Sequence, residues 1–143
     1  MNKGLEFARK IDLVYHQQCK SICKELNLPQ TAFDILMFLG NHPEYKSARD
    51  IVEIRKIKAN LVSVNVDKLV NEGYLKRLAI PGDRRKIKLV CSEKAKLVIK
   101  KGQQFQKQFF QTMWQGIDAK QQALFNEILQ MIEKNLDELK EAK

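Results

Sequence analysis

One stretch of the chain constrains its architecture more than any other: residues 76–90, KRLAIPGDRRKIKLV. Two short runs flank a Pro81-Gly82-Asp83 corner, and the second alternates Lys86, Ile87, Lys88 and Leu89. Period-two alternation around a Pro-Gly turn is the signature of a β-hairpin with one buried face. A lone hairpin is too little sheet for any α/β fold, so the remaining chain must build its core from helices. The hairpin also carries Lys76, Arg77, Arg84, Arg85, Lys86 and Lys88 around its turn. Burial does not require an all-positive outer face, and neighbouring like charges repel, so the negative partner is expected outside the chain.

The helices follow from periodicity. Leu5, Ala8, Tyr15, Cys19, Ile22 and Leu26 form an apolar stripe, interrupted by Asp12, along a long amphipathic helix. Pro29 can open a second helix, and FDILMFLG (Phe33 to Gly40) is too apolar to be anything but core. Ser47 and Asp50 have capping-box spacing and open a short helix reaching Ile54. Val62, Val66, Leu69 and Val70 share one face of the next helix, and Gly73 stops it. Beyond the hairpin, one helix runs from Ser92 through Phe105, Phe109, Phe110, Met113 and Trp114. Gly116 and Asp118 break it, and Leu124 to Leu139 mark a final helix. Two helices joined by a short turn and followed by a hairpin make a winged helix-turn-helix. The expected fold is mostly α, a winged helix-turn-helix with a two-stranded wing, flanked by long N- and C-terminal dimerisation helices. It forms a single domain over 1–143, with residues 29–92 as the winged unit and residues 1–26 and 93–143 as the flanking helices.

Charge locates the partner. Residues 55–101 hold 14 of the 26 Lys/Arg but only 4 of the 17 Asp/Glu, a local charge of +10 that leaves −1 elsewhere. A neutral body with a basic middle is the footprint of a polyanion-binding surface. In a helix-turn-helix the second helix enters the major groove of double-stranded DNA. With Val62, Val66 and Leu69 inward, its outer face carries Asn60, Val64, Asp67 and Lys68, with Leu61 and Ser63 on the flanks and Asn65 nearer the buried side. Asn60 is suited to adenine, and Leu61 or Val64 to a thymine methyl. Lys58 and Lys68 suit phosphate, as do the wing cations Arg77 and Lys86. Arg84 or Arg85 at the wing tip suits a narrow minor groove. Asp67 and Asp83 would repel phosphate, so each is expected to pair with a nearby cation, Asp83 bracing a wing arginine. An interaction module binding RNA or a protein is the alternative, but the basic middle offers only Tyr74 for base stacking.

The stretch VSVNVDKLVNEGYLKRLAIPGDRRKIKLVCSEKA resembles the MarR (multiple antibiotic resistance regulator) family of bacterial transcription factors. It has a recognition helix ending L-x-x-x-G followed by two hydrophobic residues, a D-R-R wing tip and a Ser-x-Lys before the next helix. LPQTAFDILMFL is similar to the family's second helix. The resemblance implies an obligate homodimer with interleaved terminal helices. It also implies a pseudo-palindromic operator, a repressor role and, in many members, a small-molecule effector held between the dimer and DNA-binding regions. By position it assigns Ser63 to the major groove and Arg85 to the wing arginine. The chain departs from the pattern with Val64 in place of an Arg, Lys58 in place of a Ser/Thr cap, and Ala95 in place of a Gly. Independently, the long amphipathic helices carry more apolar stripe than so small a DNA-reading unit can cover, which also points to a second copy.

Other chemistries find little support. There is no Gly-rich phosphate loop and no nucleophile with identifiable partners, so neither catalysis nor a cofactor is expected. No apolar run is long enough to span a membrane and no secretory h-region opens the chain, so a cytoplasmic location is expected. His16, Cys19 and Cys23 form H-x2-C-x3-C on one helix, a candidate zinc, cuprous or thiol-sensing set, set against plain packing cysteines. Cys91 reads as packing. Phe105, Phe109 and Met113 are candidate lining for an effector pocket, set against simple core.

Overall fold

The computed structural model describes residues 2–142, and of Arg84 its backbone alone. Helix α1, Lys3–Leu26, is capped by Asn2, whose Oδ1 accepts the Gly4 N–H at 2.6 Å. It ends at Asn27 in the left-handed region, φ 53°. Helix α2, Gln30–Asn41, starts directly after Pro29. Helix α3, Ala48–Asp50, has a capping box: Ser47 Oγ accepts the Asp50 N–H at 3.0 Å, and Asp50 Oδ2 accepts the Ser47 N–H at 3.2 Å. The short helix expected to reach Ile54 instead widens after Asp50 into a π-helical turn, Ile51–Arg55, closed by Lys56 at φ 65°. Helix α4, Ala59–Asn71, stops at Gly73, whose φ of 83° a side-chain-bearing residue adopts only under strain.

Strands β1, Leu75–Ile80, and β2, Asp83–Cys91, pair antiparallel from Leu75↔Cys91 to Ala79↔Ile87, with an irregularity between Ala79 and Ile80. The hairpin base is tied elsewhere too, since the Leu89 N–H donates to the Lys46 carbonyl at 2.6 Å. Helices α5, Glu93–Met113, and α6, Ala119–Glu141, complete the chain. Asp118 and Gln121 cap α6 reciprocally, at 2.8 and 3.0 Å.

The chain divides into two compact units, Met1–Gln106 and Lys107–Lys143. In the first, α2 is buried on nearly every side, as its continuous apolar run requires: Phe33, Ile35 and Leu36 are fully enclosed. Around it the core gathers Ile51, Val62, Val66, Leu69, Tyr74, Leu75, Leu89, Ala95, Val98 and Ile99. Recognition-type helix, wing and α5 are thus fixed to one apolar centre. Cys19, Ile22, Cys23, Phe33 and Met37 form a second cluster, against which Phe105 packs. Gly102 permits the approach of α5 there, because a methyl group at that position would overlap the Met37 sulfur. Not all of the α1 stripe is covered: Leu5, Phe7 and Leu13 are each more than half exposed. In the second unit, Trp114 meets Phe125 edge to face at 5.2 Å and Phe109 meets Phe110 at 5.4 Å. Along α6, Leu124, Ile128, Met131, Ile132, Leu136 and Leu139 are exposed.

Candidate nucleic-acid interface

Helix α4 sorts its residues sharply by face. Val62, Val66 and Leu69 are buried, while Asn60, Leu61, Ser63, Val64 and Asp67 face solvent. Val64 is 66% exposed, an apolar side chain that nothing in the fold covers. Asn65 departs from the expected set of groove-facing residues. It is 8% exposed, and its Nδ2 donates to the Leu61 carbonyl at 2.8 Å. Burial requires its amide to be satisfied inside, and the carbonyl one turn back does so. Asn65 therefore belongs to the packed side of α4 and not to its reading face. Lys58 precedes the helix without a side-chain cap, consistent with a lysine standing where a Ser or Thr would bond. It is exposed, with no acidic partner among the described residues.

Ion pairs divide the remaining cations. Arg77 Nη2 donates to Asp67 Oδ1, tying β1 to the solvent face of α4. Arg77 is thereby committed within the fold rather than left open for phosphate, and Asp67 has its cation. Lys68 pairs with Glu72 at 3.1 Å, one turn along the helix. At the wing, Asp83 Oδ1 accepts the backbone N–H of Arg85 at 3.0 Å, and its Oδ2 lies 4.0 Å from Lys86 Nζ. Among the described side chains, Asp83 thus braces the turn backbone and a lysine rather than a guanidinium. The Arg84 side chain lies outside the described residues. Arg85 is exposed, and its guanidinium has no acidic partner among them. Lys58, before α4, and Arg85, on the wing, are thus among the exposed cations without an acidic partner among the described residues.

One feature of this surface had no signal in the sequence. A crevice of about 300 Å³ opens between α3, α4 and the wing, lined by Val52, Val62, Val66, Ile87, Leu89 and Arg77 among others. Its walls come from five elements: α3, the π-helical turn, α4 and both strands of the wing.

The other candidate sites resolve differently. Cys19 and Cys23 are buried, and desolvation raises both thiols, Cys23 to about 11. His16 does not join them as a ligand set: its Nδ1 lies 2.8 Å from the Asp12 carbonyl and its Nε2 3.9 Å from Asp34 Oδ2. Among the described residues, no group of three or more His, Cys, Asp or Glu side chains is placed to hold a metal ion. Cys91 packs half-buried against the main core. Phe105 sits in the first unit, its ring 5.9 Å from that of Tyr15, whereas Phe109 and Met113 lie half-buried in the second. No helix among the described residues is long and apolar enough to cross a membrane.

Comparison with known proteins agrees with this architecture. Residues 26–86 match the model of the MarR family. Among solved structures, a MarR protein from Peptoclostridium difficile superposes with a TM-score of 0.83 at 16% identity, covering 99% of this chain and 93% of that one. A transcriptional regulator of 23% identity gives 0.77, over 92% of this chain and 98% of its own. A MarR family transcriptional regulator from Listeria monocytogenes, solved with a 26mer DNA, also gives 0.77, at 16% identity and 95% coverage of each chain. No curated protein sequence matches the chain. The family match spans both helices of the helix-turn-helix and most of the wing, and the fold is shared nearly end to end with solved MarR-family structures.

Proposed function

We propose that the chain represses transcription as a cytoplasmic homodimer, each copy placing α4 in the major groove of one half of a pseudo-palindromic operator. The observation that carries this reading is the α4–wing surface. It has an exposed Asn60, Leu61, Ser63, Val64 face, with Lys58 and Arg85 beside it, neither with an acidic partner among the described residues. Such a face can read base edges, while the cations can hold phosphates. The Listeria structure with DNA supports the assignment by analogy of fold. Residues 1–26 and 93–143 would serve dimerisation. In support, α1 leaves Leu5, Phe7 and Leu13 open, and α6 leaves a stripe from Leu124 to Leu139. Apolar helical faces of that length are covered in stable proteins, most simply by a second copy. A small-molecule effector would release the operator. The matched family is one of transcriptional regulators and not of enzymes, which supports a regulatory reading.

Fluorescence anisotropy across a salt series tests the reading, comparing duplex DNA from upstream of the protein's own gene with a scrambled duplex. A preference of about a thousandfold or more is expected of an operator reader. Equal binding to both, lost steeply with salt, would leave only a basic surface. Sedimentation equilibrium of the free protein checks the dimer.

A further inference from the structure

Below the DNA-facing surface, three elements meet at a single carboxylate. Asp34 of α2, only 11% exposed, accepts the Gln30 Nε2–H at 2.9 Å through Oδ1. Its Oδ2 faces two cationic groups, Arg55 Nη2 at 3.7 Å and His16 Nε2 at 3.9 Å. Arg55 ends the π-helical turn that leads, through Lys56, to α4. His16 belongs to α1. One buried carboxylate therefore joins the N-terminal helix to the turn before the recognition helix.

The imidazole of His16 is placed between acceptors. Its Nδ1 lies 2.8 Å from the Asp12 carbonyl and 3.3 Å from Asp12 Oδ1, and a carbonyl can only accept, so Nδ1 carries a proton. A neutral ring would then turn the Nε2 lone pair toward the Asp34 carboxylate. Only the imidazolium keeps the Nδ1 hydrogen bond and also turns positive charge toward Asp34. The other groups around it are the Tyr15 ring, edge-on at 5.7 Å, and the Cys19 and Cys23 thiols that share the field of Asp34. Both thiols are held in the neutral form by burial, and none of these neighbours supplies a competing positive charge.

We infer that His16 is a proton-operated link: its imidazolium clamps α1 to Asp34, and its deprotonation leaves the carboxylate to Arg55 alone. Burial raises the pKa of Asp34, an effect offset by the Gln30 hydrogen bond and by the charges of Arg55 and His16, so removal of either cation is felt at this site. With the imidazole protonated, α1 and the π-helical turn share one carboxylate; with it neutral, this tie is lost and α1 keeps its apolar packing. In the regulator this couples the position of the N-terminal helix, and with it the proposed dimer, to the turn that sets α4.

Two measurements separate this inference from the functional reading on which its DNA readout rests. The first is urea unfolding of the full chain at about pH 5.5 and about pH 8, beside His16→Gln. The wild type should exceed the variant in stability at the lower pH and match it at the higher. Equal differences at both would overturn the link, whether or not the protein binds DNA. The second is affinity for the preferred duplex at the same two values. Operator binding should be roughly fivefold more pH-sensitive in the wild type than in His16→Gln or Asp34→Asn, the scale of a half-exposed pair. The other histidine, His42, lines the same cavity as Asp34 and Arg55 but pairs at 3.5 Å with Glu44, so His42→Gln should keep the pH response. A response that vanishes in His42→Gln and persists in His16→Gln would refute the assignment.

Discussion

Replacing Arg85 by Ala tests the wing with little interference from the fold. The guanidinium is exposed and has no acidic partner among the described residues, so its removal leaves no buried group unpaired. Its backbone N–H donates to Asp83 Oδ1 at 3.0 Å, and alanine keeps that bond. The melting temperature and the dimer should therefore be unchanged. Binding should not. Removing one phosphate-bound cation flattens the dependence of log K on log salt by about 0.9, which at about 0.1 M salt corresponds to about eightfold in affinity. In a dimer the cation disappears from both wings, so the slope should fall by about 1.8 and the affinity by about sixtyfold. Anisotropy titrations at four or five salt concentrations measure both quantities at once. A weaker affinity at unchanged slope would remove Arg85 from the phosphates, and a lowered melting temperature would show that the residue supports the fold instead. Arg77→Ala is the informative contrast, since it exposes the Asp67 carboxylate beside the DNA as well as removing a cation.

Three further outcomes follow from local structure. Gly73→Ala should destabilise the protein by about 1 kcal/mol in urea unfolding, through backbone conformation alone. Gly73 has φ 83° and nothing lies within 4 Å of where the methyl would stand, so a neutral result would contradict the left-handed stop. Ser47→Ala removes one half of the capping box and should cost about 1 kcal/mol by the same assay, with no change if the cap is idle. Cys23, its thiol pushed up to about 11 by burial, should react with a disulfide reagent at neutral pH far more slowly than a free cysteine. Its rate should climb as pH approaches that value; rapid labelling of the native protein near pH 7 would disprove the buried, protonated thiol.

Much of this architecture was legible in residue pattern, because the elements that matter are strongly periodic. The run Phe33 to Gly40 could only be a core helix, and the alternation Lys86 to Leu89 could only be a half-buried strand. The Ser47–Asp50 cap, the Asp67–cation pair and the Gly73 stop were readable for the same reason, since each depends on groups close in sequence or on one residue's conformational freedom. What was not legible depends on packing between distant segments. Asn65 stands near the edge of the buried sector on an ideal helical wheel, and only the enclosure by neighbouring elements decides that its amide turns back to Leu61. The π-helical turn at Ile51–Arg55 leaves no mark in composition, and its terminal arginine meets an aspartate 21 positions earlier. The meeting of His16, Asp34 and Arg55 has no period at all. The exposed stripes on α1 and α6 are a different case: their apolar character is plain in sequence, and the occupant proposed for them is a second copy.

The wing is tied at its base on both strands, β1 by Arg77 to Asp67 of α4 and β2 by the Leu89 N–H to the Lys46 carbonyl. Only the tip beyond the irregularity at Ala79 and Ile80 extends past those ties. In the proposed complex, the distance between α4 in one groove and the wing reaching for the next would thereby be set by the fold and not by the DNA. A protein built this way can tolerate a wrong base more readily than a wrong spacing. A substituted base disturbs one point of recognition, whereas a base pair inserted between the segments met by helix and arm displaces everything on one side. The sites such a regulator recognises should therefore vary in letters while keeping a constant length.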